Sequence, residues 1–529
     1  MKAKYISYQD THSFSKLVLD YVDDAASLKP FYSFRPDMDG LKKAIDSRNF
    51  KGDRNELVEV LLQQYSQINT NKSVAHNIKL LADPNTFTVT TGHQLNLFTG
   101  PLYFIYKIVT TITLALELKI AYPDKNFVPV YWMATEDHDF EEINHISVEE
   151  KNISWIQQTN GATGRLSTKT VSAAVMAYKG YLGISKNGKK LAKLVENAYL
   201  NNDNLADATR VLVNSLFEHY GLVIMNADDP KLKKKFSSII AADITAQHSA
   251  HLTEKTNAEL SELDYKIQVN GREINFFYLI DNLRERIIEK DGKFLVNHTD
   301  ISFTKEELLE TIKNHPERFS PNVIMRPLYQ EVILPNIAYI GGGAEISYWL
   351  QLKGIFDHYE IDFPVLLLRN SALVIDKRSI ENLFKLGFSL EDAFLPVAEL
   401  QKRWVEQHTT HHLNLAEERQ SIHTALEKIK KNAVRIDKTL GKASESLRAK
   451  ADHLIENMEK KIFRAEKRKH ETSLKQIENV KNRLFPTGIL QERVLNIAPM
   501  YVNYGEDFLS TLIENFQPLG GDFTVILPN

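Results

Sequence analysis

The stretch that decides the fold reads T-T-G-H-Q-L-N-L-F-T-G-P-L-Y-F-I-Y-K over 90–107 and V-P-V-Y-W-M-A-T-E-D-H-D-F-E-E-I-N-H over 128–145. The first half follows a β-rich run, T-F-T-V, and the second begins with hydrophobic residues that end abruptly in charged ones. A helix is predicted between them, at about 102–121, which gives a βαβ unit. Because consecutive parallel strands end on the same side of a sheet, we expect the loop 92–101 and the polar cluster 136–139 to face one crevice.

Composition narrows the class of protein. The 529 residues are 43% hydrophobic, which predicts a large core divided into several domains. The formal charge of -3 does not favour binding of polyanions or anionic membranes. No run of about 20 apolar residues occurs, and the first ten residues lack an export signal, so we expect a cytoplasmic protein. Without cysteine, the chain has no disulfide, cysteine nucleophile or thiolate metal ligand.

The remaining chain predicts an α/β core over 1–400. The first 80 residues read as helices, and the short apolar runs 222–225, 337–340 and 363–368 are typical of strands in a parallel sheet covered on both faces. Their wide spacing predicts insertions at about 145–220 and 230–320, the second with β-like pieces at 276–280 and 286–288.

A coiled-coil hairpin is predicted over 401–485. From Leu415 to Leu440 apolar residues recur at alternating spacings of four and three, Gly441 offers a turn, and a second apolar seam runs over 447–465. Lys and Glu are interleaved, as on a solvated coiled-coil face, and this favours no nucleic-acid contact. The uncovered apolar edges predict a homodimer, and 486–529 is expected to pack back on the core.

The loop after the first strand is a candidate binding segment. Its glycines, Gly92 and Gly100, would let backbone amides approach a ligand at a helix amino terminus, although a tight turn alone also needs glycine. Four side chains that form hydrogen bonds favour binding: His93, Gln94, Asn96 and Thr99. Lys107, two turns into the helix, could reach a phosphate or carboxylate or extend into solvent.

The second candidate segment carries three carboxyl groups, Glu136, Asp137 and Asp139. They would repel one another, so positive charge is expected nearby. His138 between them is predicted to be a general base whose pKa the carboxylates raise. With His145 it could instead hold a metal, but the spacing matches no standard motif, so no metal site is predicted and a metal-dependent amide hydrolase stays an alternative.

A third segment, Y-I-G-G-G-A-E-I-S-Y-W-L-Q-L over 339–352, again reads as strand, glycine loop and helix. It suits capture of an anion or carboxylate but lacks the lysine of a P-loop. Gly342 and Glu345 lie in it, and Arg326 precedes it. Arg493, in L-Q-E-R-V-L-N, is open to two interpretations, a structural ion pair or a ligand contact.

These three segments, the hairpin and L-F-P-T-G-I-L-Q-E-R at 484–493 resemble the cysteine-adding enzymes of bacillithiol synthesis over nearly the whole chain. At His93 the family pattern usually has glutamine. The resemblance implies a Rossmann-like core with connecting-peptide insertions, an antiparallel coiled-coil dimerisation domain, and a reaction that adds L-cysteine to the amine of glucosaminyl malate. That reaction is the last step of bacillithiol biosynthesis.

A more distant likeness joins G-P-L-Y-F-I-Y at 100–106 to the G-P-L-H-I-G-H motif of class I aminoacyl-tRNA synthetases. Tyr103 and Tyr106 replace both histidines, which in those enzymes stabilise the transferring phosphates of ATP, and no K-M-S-K-S-like loop follows the last core strand. Because an amide needs an activated carboxyl group, either ATP (leaving ADP or another nucleotide product) is used through altered contacts or an activated cysteine arrives from elsewhere.

The resulting mechanistic hypothesis places the sugar amine near His138, which accepts its proton while Glu136 and Asp137 orient the amine or the hydroxyls. Arg326 or Arg369 would meet the malate carboxylates. The other predicted catalytic or substrate contacts are His93, Gly92, Gln94, Asn96, Thr99, Gly100, Tyr103, Lys107, Asp139, Asn144, Gly342 and Glu345. A non-enzymatic scaffold built on the coiled coil is the second alternative.

Overall fold

The computed structural model describes residues 1–68, 70–149, 151–411 and 413–528. The strands are β1 Lys2–Ser7, β2 Thr86–His93, β3 Asn126–Met133, β4 His145–Val148, β5 Lys151–Ser154, β6 Val223–Asn226, β7 Phe276–Ile280, β8 Leu283–Lys290, β9 Lys293–Val296, β10 Ser302–Phe303, β11 Phe319–Pro321, β12 Asn336–Gly341, β13 Val365–Leu368, β14 Ala372–Val374 and β15 Asp522–Leu527. The first helices are α1 Lys16–Val22, α2 Met38–Ser47, α3 Arg54–Gln64, α4 Lys72–Leu80, α5 Leu102–Ala121, α6 Phe140–Ile143, α7 Ser172–Leu182, α8 Lys186–Leu200, α9 Leu205–Phe217, α10 Pro230–Ala246 and α11 His248–Glu262. The others are α12 Lys305–Asn314, α13 Met325–Ile333, α14 Gly343–Leu350, α15 Lys353–His358, α16 Lys377–Lys385, α17 Val397–His408, α18 Ala416–Ile436, α19 Leu440–Lys469, α20 Glu471–Leu484, α21 Ala498–Tyr504 and α22 Asp507–Asn515.

A five-stranded parallel sheet forms the centre, in the order β13-β12-β2-β3-β6. The three apolar runs predicted as strands are confirmed as β6, β12 and β13. On one face the sheet packs its apolar side chains against α2 and α5. On the other face Thr88 and Thr90 meet Asn336, which also donates to Glu331 of α13. Burial on both faces explains why the runs in β6, β12 and β13 are nearly all apolar.

Helix α5 spans the predicted range 102–121. Gly100, at φ +62°, turns the chain, and Pro101 precedes the first helical residue. Most of α5 is buried because it lies between the sheet and the carboxyl-terminal helix α22. In the described ranges no helix is both long enough and apolar enough to cross a membrane.

Two long connections lie outside the central sheet. Between β3 and β6 the chain forms the hairpin β4–β5 and the helices α7, α8 and α9. Between β6 and β12 it forms α10, α11, α12 and an antiparallel sheet in the order β10-β9-β8-β7-β11. This second sheet brings residues of β8 and β11 to the carboxyl edge of the central sheet, as the site contacts show.

The sequence predicts helices throughout the first 80 residues, and this prediction is wrong at the amino terminus. These residues begin with β1, which pairs antiparallel with β15 near the other end of the chain, and β15 in turn pairs parallel with β14. The alternation of exposed and buried side chains along β1 fits an edge strand with one covered face. The three strands form a small separate sheet.

The predicted helical hairpin is formed by α18 and α19, flanked by α17 and α20. The turn does not fall at Gly441, which lies inside α19; Asp437 makes it by accepting from the Thr439 amide at 2.7 Å. Oppositely charged residues pair across the helices, as Arg419 does with Glu459 at 2.9 Å. Several apolar side chains of the seam are exposed: Ile422, Ile429, Ile436, Leu440, Leu447, Leu454 and Met458.

Candidate active site

A crevice at the carboxyl edge of the central sheet holds most of the predicted site residues. The chain runs from β2 outward through β3 to β6, and then returns to form β12 and β13 on the other side of β2. The reversal point therefore lies between β2 and β12, where α/β proteins commonly bind ligands. Next to this point, the loop after β2 contacts the acidic segment after β3, because Gln94 Nε2 donates to Asp137 Oδ2 at 2.7 Å. The two segments face one crevice, as predicted.

The glycine loop after β12 captures a carboxylate of the protein itself. Glu345 accepts from the Gly342 amide at 2.9 Å and from the Tyr339 hydroxyl at 2.7 Å. It also forms an ion pair with Lys107, whose Nζ donates to the Gly92 carbonyl at 3.0 Å. Burial alone would raise the pKa of Glu345, but Lys107 and these donors lower it, while burial lowers the pKa of Lys107. Lys107 is thus neither extended into solvent nor free for a phosphate.

Arg326 is the candidate anion-binding residue between β2 and β12. Its guanidinium lies over the Tyr339 ring, 5.8 Å from the centroid, and donates to Gln330 Oε1 at 3.0 Å. No carboxylate of the described residues lies within 4.0 Å of it. A Cβ on Gly92 would be 3.4 Å from Arg326 Nη1, so the glycine gives this guanidinium room. Arg326 therefore keeps capacity for an external carboxylate or phosphate.

Arg369, the alternative partner for a substrate carboxylate, is largely committed to the protein. Nη2 pairs with Glu492 at 2.6 Å, and Nη1 donates to the Asn370 carbonyl at 3.0 Å and to Ser371 Oγ at 2.9 Å. The third nitrogen of its guanidinium, Nε, is buried and has no hydrogen-bond partner among the described residues. The guanidinium also lies 5.6 Å from the centre of the Tyr103 ring. Arg369 is therefore less available than Arg326 for a substrate carboxylate, and it packs against Tyr103.

The loop 93–100 is mostly packed inside the protein. The His93 ring stacks on Phe104 with centroids 5.2 Å apart, and burial lowers its pKa well below the ordinary value, with Lys107 and Arg369 acting in the same direction. Asn96 and Thr99 are buried beside α9. The Gly100 amide donates to the Leu97 carbonyl at 2.8 Å, so it is not available to a substrate, contrary to the prediction.

The positive charge predicted near the acidic segment is supplied by the insertion between β6 and β12. Lys233 of α10 forms an ion pair with Glu136 and donates to the Phe319 carbonyl at 2.8 Å. Burial raises the pKa of Glu136, and Lys233 opposes that shift. Since Glu136 is matched by a fully buried lysine, it shapes the crevice wall and is poorly placed to orient an amine, contrary to the prediction.

Asp137, Asp139 and Glu142 form the unneutralised side of the crevice. Gln94 Nε2 bridges Asp137 and Glu142, at 2.7 and 2.9 Å. Asp137 Oδ1 accepts the backbone amides of His138 and Asp139, at 2.8 and 3.4 Å. Among the described residues no Lys or Arg nitrogen lies within 4.0 Å of these three carboxylates. This side of the crevice can accept a cationic amine.

His138 does not have the raised pKa that its acidic neighbours predict. Arg284 Nη1 of β8 lies 2.7 Å from His138 Nδ1. Burial lowers the pKa of His138 and Arg284 lowers it further, which outweighs the opposite effects of Asp137 and Asp139. The imidazole is therefore neutral at pH 7, and its Nδ1 lone pair is already engaged.

Asn144 and His145 lie at the end of α6. His145 Nδ1 lies 3.0 Å from Asn144 Oδ1, and the Asn144 carbonyl accepts the Trp155 amide at 2.7 Å. His145 is exposed. Across 1–68, 70–149, 151–411 and 413–528, no three His, Asp or Glu side chains converge in a way that could hold a metal ion.

Sequence reasoning missed Lys233, Arg284, Tyr339 and Glu492. Lys233, Arg284 and Glu492 each contact a predicted residue that is remote in sequence, so periodicity gives no signal for them. Tyr339 lies inside the segment singled out above, directly before the glycines, and its position could have suggested a role. Arg493, by contrast, is exposed and forms no ion pair within 4.0 Å with the described residues, which removes the structural interpretation left open by the sequence.

The parallel sheet, the crevice at its reversal point and the helical hairpin define a Rossmann-like α/β protein with a coiled-coil domain. Family models agree: residues 1–370 match the bacillithiol biosynthesis BshC N-terminal Rossmann-like domain, and 372–528 match the BshC C-terminal coiled-coil domain. The chain belongs to the BshC family, so the resemblance and the fold class predicted from the sequence are confirmed.

Curated relatives extend over the whole chain. Proteins named "Putative cysteine ligase BshC" from Flavobacterium psychrophilum and Flavobacterium johnsoniae are 44% and 45% identical, each covering 99% of this chain and 99% and 100% of their own. One from Christiangramia forsetii is 41% identical over 99% of both chains. A solved chain titled as a putative arginyl-tRNA synthetase from Campylobacter jejuni aligns with 87% of this chain and 96% of its own, at 10% identity and a TM-score of 0.23, too low to bear on the fold. The family is one of enzymes named as ligases.

Proposed function

We propose that this protein is the ligase that joins the carboxyl group of L-cysteine to the amine of glucosaminyl malate in the last step of bacillithiol biosynthesis. Membership of the BshC family across the full chain supports the pathway. One structural observation carries the proposal. At the carboxyl edge of the central sheet, Asp137, Asp139 and Glu142 form an acidic group after β3, and the cationic Arg326 lies beside Gly92 with no carboxylate of the described residues within 4.0 Å.

The charges of the substrates fit this division. An aminosugar amine that is cationic in solution is attracted to carboxylates, and malate presents carboxylates that a guanidinium binds through two parallel hydrogen bonds. Asp137 and Glu142 would therefore hold the amine, and Arg326 would hold a malate carboxylate. Arg493, exposed and without an ion pair among the described residues, would add a second positive charge. We favour Arg326 over Arg369 because Glu492 already occupies Arg369.

The cysteine would lie near Tyr103. This side chain is at the start of α5, and Arg369 and Glu345 both influence its pKa, which burial raises. The Tyr103 hydroxyl thus stays protonated at neutral pH and can donate to an acyl oxygen. Activation of the carboxyl group is proposed to use ATP as a co-substrate, with delivery of an already activated cysteine as the competing route.

The deciding experiment incubates the protein with glucosaminyl malate and L-cysteine, with and without ATP, and separately with glucosaminyl malate and an activated cysteine, and detects the ligated thiol by mass spectrometry. Formation only with ATP supports the full proposal, and formation from an activated cysteine alone supports the competing route. No product under either condition would overturn the ligase assignment. Asp137→Asn should lower the rate, whereas Asp281→Asn is a control, since Asp281 is exposed and its nearest cation, Arg165, already pairs with Asp228 at 2.8 Å.

We also propose a cytoplasmic homodimer joined through the hairpin. Leu454 and Met458 are 68% and 52% exposed on α19, and such side chains in a heptad seam are ordinarily covered by another helix. Interleaved ion pairs beside them, such as Lys430 with Glu445 at 3.0 Å, keep the rest of the hairpin surface compatible with water.

A further inference from the structure

We infer that Arg284 fixes His138 in the tautomer that carries its proton on Nε2, so that His138 donates a hydrogen bond to a substrate oxygen and does not accept the amine proton. Arg284 is then a positioning residue supplied by the inserted antiparallel sheet. The hydrogen bond to a substrate rests on the proposed function, whereas the tautomer of His138 does not depend on it.

The geometry leaves one assignment. Arg284 Nη1 and His138 Nδ1 are 2.7 Å apart, which is hydrogen-bond distance. A guanidinium stays protonated in proteins and can only donate. Nδ1 must therefore accept, and a neutral imidazole that accepts at Nδ1 carries its proton at Nε2. A base role would need a free lone pair, and neither ring nitrogen offers one.

Arg284 cannot easily turn away from this contact. Its Nε donates to Ser320 Oγ at 3.1 Å and its Nη2 to the Pro321 carbonyl at 3.3 Å, both on β11. The guanidinium also lies 3.9 Å from the centre of the Phe277 ring on β7. Contacts with β11 and with the Phe277 ring thus hold the buried Arg284 side chain in one orientation. In this orientation its remaining nitrogen, Nη1, faces His138 Nδ1.

The charges around His138 show what Arg284 opposes. Asp137 Oδ1 lies 3.8 Å from Nδ1, and Asp139 and Glu285 also favour a protonated ring. Burial and Arg284 act in the other direction and lower the pKa of His138. Without Arg284, the three carboxylates would act on a ring with a free Nδ1, and we expect the pKa of the imidazole to rise.

A neutral N–H donor suits acyl transfer. When the sugar amine attacks the activated carbonyl carbon, the carbonyl oxygen gains negative charge until the bond to the activating group breaks and that group leaves, and a fixed donor in a partly buried site stabilises this charge. The His138 side chain is 44% exposed, so its Nε2 edge is accessible to a ligand. Asp137, a neighbouring carboxylate without a Lys or Arg partner within 4.0 Å among the described residues, is then the acceptor available for the amine proton.

The tautomer can be measured without any substrate. Deuterated full-length protein labelled with ¹³C and ¹⁵N histidine is titrated from pH 5.5 to 8 by NMR, with the His138 signals identified by their loss in His138→Gln. We expect the Nε2–H pattern and a titration midpoint below the ordinary value for histidine. An Nδ1–H pattern, or titration near the ordinary pKa of about 6.5, would overturn the inference.

Two variants test the role of Arg284. Arg284→Met should make His138 titrate with a raised pKa, whereas Arg286→Met, at an exposed position of the same strand, should leave its signals unchanged. An unchanged His138 in Arg284→Met would contradict the positioning role. The spectrum of the unmodified protein decides the tautomer even where Arg284→Met does not fold.

The activity assay separates a donor from a base. His138→Ala should lower kcat/KM about 100-fold, as expected for the loss of one such donor. His138→Gln places an amide N–H near the position of Nε2 and should retain roughly a tenth of the activity or more, since a donor is kept. Equal losses of kcat/KM in the two variants would contradict the donor role of His138. If the unmodified protein has no ligase activity, the proposed function is wrong, but the tautomer measured by NMR still stands.

Discussion

Replacement of Glu492 by alanine should be among the most destabilising single changes in the chain. Glu492 is fully buried, pairs with Arg369 at 2.6 Å and accepts the Ala372 amide at 2.9 Å. Its loss leaves a buried guanidinium without its counter-ion, which costs about 3–5 kcal/mol, and an unsatisfied amide, which costs roughly 1–3 kcal/mol. We expect a total of about 4 kcal/mol, because water that enters the emptied space repays part of both.

Urea titration followed by tryptophan fluorescence measures this change in the free energy of unfolding, since Trp132 and Trp349 are buried in the core. The double variant Arg369→Met with Glu492→Met should recover most of the loss, because no charge is left unpaired. Glu399→Ala, which breaks an exposed pair, should cost at most about 1 kcal/mol. A cost below about 1 kcal/mol for Glu492→Ala, or no recovery in the double variant, would refute the reasoning.

Three further changes have defined outcomes. Gly92→Ala puts a methyl group 3.3 Å from the Tyr339 hydroxyl and should raise KM in the ligation assay with little effect on the urea midpoint. Burial raises the pKa of Glu331 from 4.5 to about 7, so the folded state holds this proton more tightly than the unfolded state. Relative to Glu331→Gln, the free energy of unfolding should therefore fall by ~3 kcal/mol as the pH rises from 4.5 to 7. Equal pH dependence of the two proteins in urea titrations would contradict this. Leu454→Glu with Met458→Glu should convert the proposed dimer to a monomer in analytical ultracentrifugation while circular dichroism keeps its helical signal, and an unchanged mass would argue against that interface.

The elements of the fold that the sequence predicts best are those that depend on neighbouring residues in the chain. The runs that became β6, β12 and β13 are apolar because the sheet is covered on both faces, and α5 follows a glycine and a proline that mark its start. Strand β1 was missed because its partner, β15, lies more than 500 residues away. The turn was misplaced to Gly441 because an aspartate, Asp437, satisfies the backbone there without glycine.

The site shows the same limit more sharply. The sequence identified the strand ends and the carboxylates, but the partner of each charge comes from a distant segment: Lys233 for Glu136, Arg284 for His138 and Glu492 for Arg369. Those partners decide which charges stay available for a substrate. Without them, every polar side chain near the crevice looks free, and the sequence therefore assigned substrate roles to Glu136 and Lys107, which the structure shows in ion pairs with Lys233 and Glu345.

The carboxyl-terminal region takes part in the architecture of the crevice and does not merely extend the chain beyond it. Asn496 Nδ2 donates to the carbonyls of Phe98 and Gly100 at 2.8 and 2.7 Å, and thereby holds the loop that follows β2. Gln491 exchanges hydrogen bonds with Val374 at 3.1 Å in both directions, beside the pair that Glu492 makes. Because these contacts are buried, an amino-terminal fragment cut near residue 370 would leave loop carbonyls and Arg369 without their partners. The segment 491–496 therefore supports the loop after β2 and Arg369 from behind, although it lies more than 100 residues further along the chain.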